Sequence, residues 1–305
     1  MELPAPRMPD AVERLLERLW HSGHAAYLVG GGLRDWLLGR PESDWDIATD
    51  ALPERIMALF PSGRYENRFG TVTIDDVEVT TFRRDHQYAD RRRPDSVTFT
   101  TDLASDLARR DFTVNAICWG RAGHETDDSL APGWVDPTGG LADLEARRLR
   151  AVGDPTQRFD EDALRLLRAA RLAAQLDFEI EPATLDAMRA TAGLVGHVSN
   201  ERVGAELRKM LRADPPSRGF VILAETGLLA PVLPVLAAFQ SVAGRLDADE
   251  AHGLVRNVRV ENADRVGAAA HARQHRVGLA ADRLWRASGA RSRGADRARC
   301  ARAGQ

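Results

Sequence analysis

Near Phe159 the chain changes character. Downstream, Glu161–Gln175, Pro182–Thr191, Ser199–Leu211 and Ser217–Leu229 each carry apolar residues at helical spacing, whereas upstream short strand-like runs alternate with turns and brief helical stretches. This pattern predicts an α+β fold: a head built on a small mixed sheet with helices, followed by an all-α neck and body. The boundaries read as a head over 10–150, a helical neck over 151–236, and a region over 237–305 in which the helical period fades. With 305 residues, of which 44% are hydrophobic, the chain is long enough for two or three such units.

Composition narrows the function classes. No apolar run approaches the roughly 20 residues that cross a bilayer, and the opening Met1-Glu-Leu-Pro-Ala-Pro lacks the basic start of a signal peptide, so a cytoplasmic protein with no membrane partner is expected. Cys118 and Cys300 lie far apart and form no ligand spacing, which argues against a disulfide framework or a zinc site. The net charge of −3 hides an asymmetry, because residues 251–305 hold twelve arginines against four acids. That basic end admits two readings, an RNA-binding arm or a divergent, truncated or frame-shifted end, of which the second is favoured.

Within the head, Asp10 and Glu13 read as a capping pair ahead of a helix to Trp20, with Val12, Leu15, Leu16 and Leu19 on one face. The strand-like run Ala25–Val29 ends at Gly30-Gly31-Gly32, and a helix Leu33–Leu38 follows. Asp44-Trp45-Asp46-Ile47-Ala48 reads as a short strand with Asp44 and Asp46 on one face and Trp45 on the other. A helix is expected over 53–60, and Thr71–Ile74 and Val77–Phe82 flank Asp75-Asp76 as a hairpin that carries Glu78. Arg83–Thr101 reads as a mobile loop, and Leu103–Trp119 as a helix on which Asp111 and Asn115 stand one turn apart.

Two carboxylates on one face of a strand, just after a glycine turn, suit hard divalent cations and a nucleoside triphosphate. Asp44 and Asp46 are therefore the candidate catalytic and metal-binding residues, Glu78 is a candidate third carboxylate, and the expected cofactor is Mg²⁺. The glycine turn offers backbone N–H groups at a helix start, with Gly31 and Arg34 placed to meet phosphates. Alone, Asp-x-Asp is more often a solvated strand edge, and the glycine turn an ordinary turn capped by an Arg–Asp pair. The G-x-G-x-x-G spacing of a dinucleotide site is absent.

Taken in order, these elements resemble the class II branch of the DNA polymerase β-like nucleotidyltransferases, which contains CCA-adding enzymes and bacterial poly(A) polymerases. Leu28–Asp35 with Asp44–Thr49 resembles the family's first motif, which implies that Gly31 and Arg34 hold the triphosphate and that Asp44 and Asp46 bind the metals. Arg109–Ala116 is similar to the second, and implies sugar and phosphate contacts for Arg110, Asp111 and Asn115. Asp136–Gly140 matches a hinge-like third. Glu161–Arg171 resembles the fourth, by which Asp162 and Arg165 select the base and Arg168 and Arg171 assist. Ser199–Met210 resembles a fifth, bracing motif, with Ser199 as its cap and Arg202 paired to Glu206.

The resemblance implies a metal-dependent transferase whose partners are a tRNA 3′ end, ATP and CTP, with no protein partner. It implies a two-Mg²⁺ reaction that adds C, C and A without a nucleic-acid template and releases pyrophosphate. An A-adding enzyme, a poly(A) polymerase and a catalytically impaired RNA-binding paralogue are the alternatives. The Gly-Thr-Val stretch within Arg68–Ile74 and the full loop Arg83–Phe99, including Tyr88–Asp95, favour the CCA reading.

Overall fold

The computed structural model describes residues 3–41, 44–67, 69–86, 96–123 and 131–243. Tyr88–Asp95, Arg68 and the basic end beyond 243 lie outside the described residues, and so do the expectations placed on them. Contacts divide the chain into two units: the first holds the residues up to Arg165 together with Asp177–Val198, and the second holds Leu166–Leu176 with the described residues from Ser199 onward.

The first unit is organised by strands β1 (Ala26–Val29), β2 (Asp46–Thr49), β3 (Arg64–Asn67), β4 (Thr71–Ile74), β5 (Val77–Thr81), β6 (Arg83–His86), β7 (Ser96–Phe99), β8 (Cys118–Arg121) and β9 (Gly133–Val135). Seven of them form one mixed sheet in the order β3-β4-β5-β2-β1-β8-β9, with β2 and β5 parallel and the other neighbours antiparallel. Strand β1 is buried along its whole length because both faces of the sheet are covered. Ala26, Leu28, Ile47 and Val79 point into one core with Trp45 and the apolar stripe Val12, Leu15, Leu16 and Leu19 of helix α1 (Asp10–His21). Tyr27, Val29, Ala48 and Cys118 point into a second core with Phe82, Leu107 and Ala116. The period of two in strand side chains thus sends Asp46 and Glu78 to the face opposite Trp45 and Ile47.

The remaining helices are α2 (Gly31–Leu37), α3 (Pro53–Leu59), α4 (Leu103–Ala108), α5 (Gly140–Glu145), α6 (Pro155–Glu161), α7 (Leu164–Leu176), α8 (Pro182–Thr191), α9 (Asn200–Met210), α10 (Ser217–Glu225), α11 (Leu229–Val232) and α12 (Pro234–Ala243). A mixed sheet followed by helices is the predicted fold class. Among the described residues no helix is long and apolar enough to cross a membrane.

Several local expectations are corrected. Helix α1 starts at Asp10 after Pro9 with no side-chain cap, so Asp10 and Glu13 act as first-turn acids near the positive helix end. The stretch read as a loop from Arg83 begins and ends in paired strands, β6 against β7 in full antiparallel register, and Phe99 closes over Gly70. The helix expected over Leu103–Trp119 stops at Ala108; a 3₁₀ turn spans Thr113–Asn115, and β8 enters the sheet beside β1. Non-local pairing decides that segment: Phe112 bridges Ala151, and Thr113 N donates to the Arg150 carbonyl. Glu161–Gln175 breaks at Asp162, whose extended backbone (φ −144°) separates α6 from α7. Ser199 stands at the start of α9 but makes no side-chain cap bond there. The helix expected over 217–229 ends at Glu225, because Gly227 takes a left-handed φ of 77°.

Candidate functional site

The glycine turn is shaped by what lies against it. Gly30 has φ 88° and ψ −151°, a region open to glycine, and a Cβ there would approach Asp46 Oδ2 to 2.8 Å. A Cβ on Gly32 would collide with the Asp44 carbonyl oxygen. The turn therefore lets the backbone at residues 44–46 pack directly on the start of α2. Gly32→Ala should force that chain away and lower thermal stability by about 1–3 kcal/mol. Gly31→Ala should be tolerated, since its Cβ would meet nothing closer than Arg34 Nη2 at 3.6 Å. Melting curves of the two variants check the contrast; equal losses would remove the packing account.

Beside the turn, β2 runs parallel to β5 with Asp46 directly opposite Glu78. Asp44 and Glu78 are exposed and Asp46 is half-buried. Burial first, and then the charge of Glu78, push the Asp46 carboxyl up to about 7; Arg110 pulls against this, and Asp44 adds to it. Such a carboxylate cluster is short of positive charge. Among the described residues no three His, Cys, Asp or Glu side chains are grouped to hold an ion by themselves. The all-oxygen donors here fit instead an ion of the Mg²⁺ kind, which binds through one or two carboxylates and fills its shell with water and substrate phosphates.

Arg34 joins the turn to the second motif. Its guanidinium is buried; Nε and Nη2 donate to Asp35 Oδ1 at 2.9 and 2.7 Å, and Nη1 donates to Asn115 Oδ1 at 2.6 Å. Asn115 Nδ2 in turn donates to Asp111 Oδ1 at 3.1 Å. Asp111 and Asn115 thus meet as expected, although a 3₁₀ turn rather than an α-helix brings them together. Asp106, which the sequence reading passed over, collects both arginines of this motif. Its Oδ1 accepts from Arg109 Nε and Nη2 at 3.0 and 2.6 Å, and its Oδ2 accepts from Arg110 Nη2 at 3.1 Å. Burial alone would raise the Asp106 carboxyl, but the Arg110 and Arg109 guanidiniums outweigh it and hold the group below its usual range. The signal was local: acid at i, cations at i+3 and i+4.

Asp162 and Arg165 do not share one uninterrupted helix. Asp162 caps the turn between α6 and α7 by accepting from Leu164 N at 3.0 Å, and its carbonyl accepts from Arg165 N. The buried Arg165 guanidinium donates through Nη1 to the Arg158 carbonyl and Glu161 Oε2, and through Nη2 to the Arg109 carbonyl. Arg165 is thereby tied to the residue next to Arg110, whose charge acts on Asp46. Gly31, Arg34, Asp44, Asp46, Glu78, Arg110, Asp111, Asn115, Asp162 and Arg165 all lie in the first unit. Arg168 and Arg171 belong to the second unit. There Arg171 Nε donates to Glu206 Oε2 at 2.6 Å and Nη1 donates to Gln175 Oε1 at 2.7 Å, so Glu206 is paired across to α7.

Residues 26–150 match the Poly A polymerase head domain, and residues 177–240 match the probable RNA and SrmB-binding site of polymerase A. The chain belongs to the poly(A) polymerase and CCA-adding enzyme family. Curated relatives in this family include the CCA-adding enzyme of Geobacillus stearothermophilus, 44% identical over 73% of this chain and 54% of that protein. The CCA-adding enzyme of Levilactobacillus brevis is 45% identical over 73% of this chain and 55% of its own length. Among solved structures, the Bacillus stearothermophilus CCA-adding enzyme in complex with CTP matches with a TM-score of 0.66 and 41% identity, over 77% of this chain and 56% of that one. The chain spans about half the length of the curated relatives it matches. Nucleotidyltransferases of this family generally use a divalent metal.

Proposed function

We propose that this chain is a tRNA nucleotidyltransferase that adds C, C and A in turn to the tRNA 3′ end, taking CTP and ATP as substrates and using no nucleic-acid template. The observation that carries the reading is the register that sets Asp46 beside Glu78, against a glycine turn that Arg34 and Asn115 tie to the second motif. The likeness to CCA-adding relatives favours this member of the family.

In this reading the tRNA 3′ hydroxyl attacks the nucleotide α-phosphate and pyrophosphate leaves. Asp44 and Asp46 would hold Mg²⁺, with Glu78 raising the local negative charge. Bound Mg²⁺ supplies Lewis-acid polarisation of the phosphate and offsets charge on the leaving group. Gly31 lets phosphate approach the turn, and Arg34 and Arg110 pair with the triphosphate. Asp111 and Asn115 meet the sugar. Asp162 and Arg165 present an acceptor and a donor fork to the base edge. Three N–H donations already fix the Arg165 guanidinium in place, and a fixed fork discriminates better than a mobile one. Arg168 and Arg171 assist from α7. A cytoplasmic location goes with these substrates.

The test incubates tRNA transcripts ending before CCA, after the first C and after CC with labelled CTP and ATP. Addition to all three with a stop after A is the expected result. Addition only to the last marks an A-adder, a long A tail marks a poly(A) polymerase, and no addition overturns an enzymatic role. In the same assay Arg165→Ala should lose roughly tenfold or more of its CTP-against-ATP discrimination while metal-dependent turnover persists.

A further inference from the structure

We infer that Asp106 is a positioning residue for nucleotide binding: it aims the Arg110 guanidinium at the triphosphate and, through Arg109, fixes the backbone on which Arg165 rests. The inference rests on the reading that Arg110 pairs with the triphosphate.

Asp106 is only 1% exposed, and its two carboxylate oxygens are divided between two cations. Arg109 donates twice to Oδ1, and that fork alone would neutralise a buried carboxylate. Arg110 is thus a second cation on a single anion, and the cluster keeps a net positive charge close to Asp46. Arg110 Nε is moreover a buried N–H with no acceptor among the described residues. A folded chain tolerates an orphaned buried donor where a ligand is to supply the acceptor, and a phosphate oxygen is the acceptor this place calls for. Holding Arg110 by Nη2 leaves the Nε edge for that purpose. The same carboxylate orders its other neighbours: the Arg83 N–H, at the start of β6, donates to Oδ1 at 3.3 Å, and the carbonyl of Arg109 accepts from Arg165 Nη2 at 2.9 Å. One buried anion therefore sets the orientation of a phosphate-facing arginine and of the carbonyl that seats a base-facing one.

The test is a double-mutant cycle on CTP and ATP, read as KM, kcat and direct CTP binding by titration. D106N should raise KM roughly tenfold with kcat within about threefold, because a binding geometry is lost while the reacting groups remain. R110A should raise KM by at least as much, and D106N/R110A should raise the KM no further than R110A within about twofold, since no phosphate-facing guanidinium is left to aim; the hold on Arg109 is read separately, as a loss of CTP-against-ATP discrimination that D106N causes in either background. D106E, which keeps the charge the buried arginines require, is carried through the same cycle so that poor folding of D106N does not end the test. A smaller KM rise that vanishes in the R110A background is expected for it. Unchanged KM in D106N, or effects of D106N and R110A that multiply, overturns the inference while leaving Arg110 in its role. Unchanged KM in R110A overturns the reading of Arg110 itself.

Discussion

Asp46→Ala should abolish nucleotide incorporation, with kcat reduced by roughly 10³-fold or more while the protein stays folded. The size follows from the metal-holding role proposed for the residue: metal-ion catalysis is worth several kcal/mol of transition-state stabilisation, and each 1.36 kcal/mol is about a factor of ten in rate. Asp46 is the half-buried member of the group, set on β2 opposite Glu78 and against Gly30. Glu78→Ala, on the exposed side of the same pair, should cost less, on the order of tenfold to a hundredfold. Single-turnover incorporation on a tRNA ending before CCA measures both; an Asp46→Ala rate within tenfold of wild type would remove Asp46 from the chemistry.

The same residue makes the metal-free protein sensitive to pH. Unfolded, its carboxyl titrates near 3.8; folded, burial and the charge of Glu78 raise it to about 7. Below about pH 4 the proton is bound in both states and nothing is lost. Between pH 4 and 7 the unfolded chain releases the proton while the folded chain keeps it, so the native state is progressively penalised. Above pH 7 the penalty is complete, with an upper bound of roughly 4 kcal/mol. Without metal, Asp46→Asn should therefore melt higher than wild type at pH 8 and equal to it at pH 4. Added Mg²⁺ should raise the wild-type melting temperature more at pH 8 than at pH 6, and do little for Asp46→Asn. Parallel melting curves for the two proteins across that range would contradict the charge argument.

The parts of this site that could be read from the chain are those whose geometry is local. A glycine run after a strand dictates a turn wherever it occurs, and Gly30 turns the chain from β1 into α2; the strand expected over Asp44–Ala48 instead begins at Asp46, so Asp44 lies just outside it. Asp75 and Asp76 take left-handed φ values of 48° and 66°, the turn conformation that joins β4 to β5, and so the hairpin carrying Glu78 was also legible. That Glu78 would lie directly opposite Asp46 was not, because a parallel pairing across an intervening helix and two strands is a long-range choice.

The segment after Leu103 shows where local pattern misleads. Leu103, Leu107, Val114 and Ile117 are spaced well enough for one long helix, yet pairing with β1 and β9 takes Cys118–Arg121 into the sheet. Gly120 held the missed signal: a Cβ there would collide with the Ala26 carbonyl oxygen, a close approach that belongs to packed strands and not to a helix. The break at Asp162 was signalled more plainly, by Asp154-Pro155. Asp154 accepts from Gln157 N and Pro155 occupies the first turn, so a helix begins there and leaves Asp162 to cap the next one. Asp106 escaped notice for a different reason. Its helical neighbours Arg109 and Arg110 predict a wet surface ion pair, and only the fold reveals that the pair is buried.

Glu206→Ala should lower the stability of the second unit by about 3–5 kcal/mol, the largest structural loss expected from any single change considered for this chain. The Arg171 and Glu206 side chains are 11% and 5% exposed, and Nε and Oε2 lie 2.6 Å apart. Removing the acid takes a close anion away from a buried guanidinium, and Gln175, at 2.7 Å, offers only a neutral acceptor. Glu206→Gln keeps an acceptor and should lose about half as much. The decisive variant is the double replacement Arg171→Met with Glu206→Leu, which removes both charges and fills their volume; it should recover most of the stability. Thermal and urea unfolding of the three proteins measure this. CTP binding by the double variant then separates the two roles open to Arg171. Affinity close to wild type assigns it to bracing α7 against α9, whereas a tenfold loss in a protein that melts normally assigns it to the nucleotide phosphates.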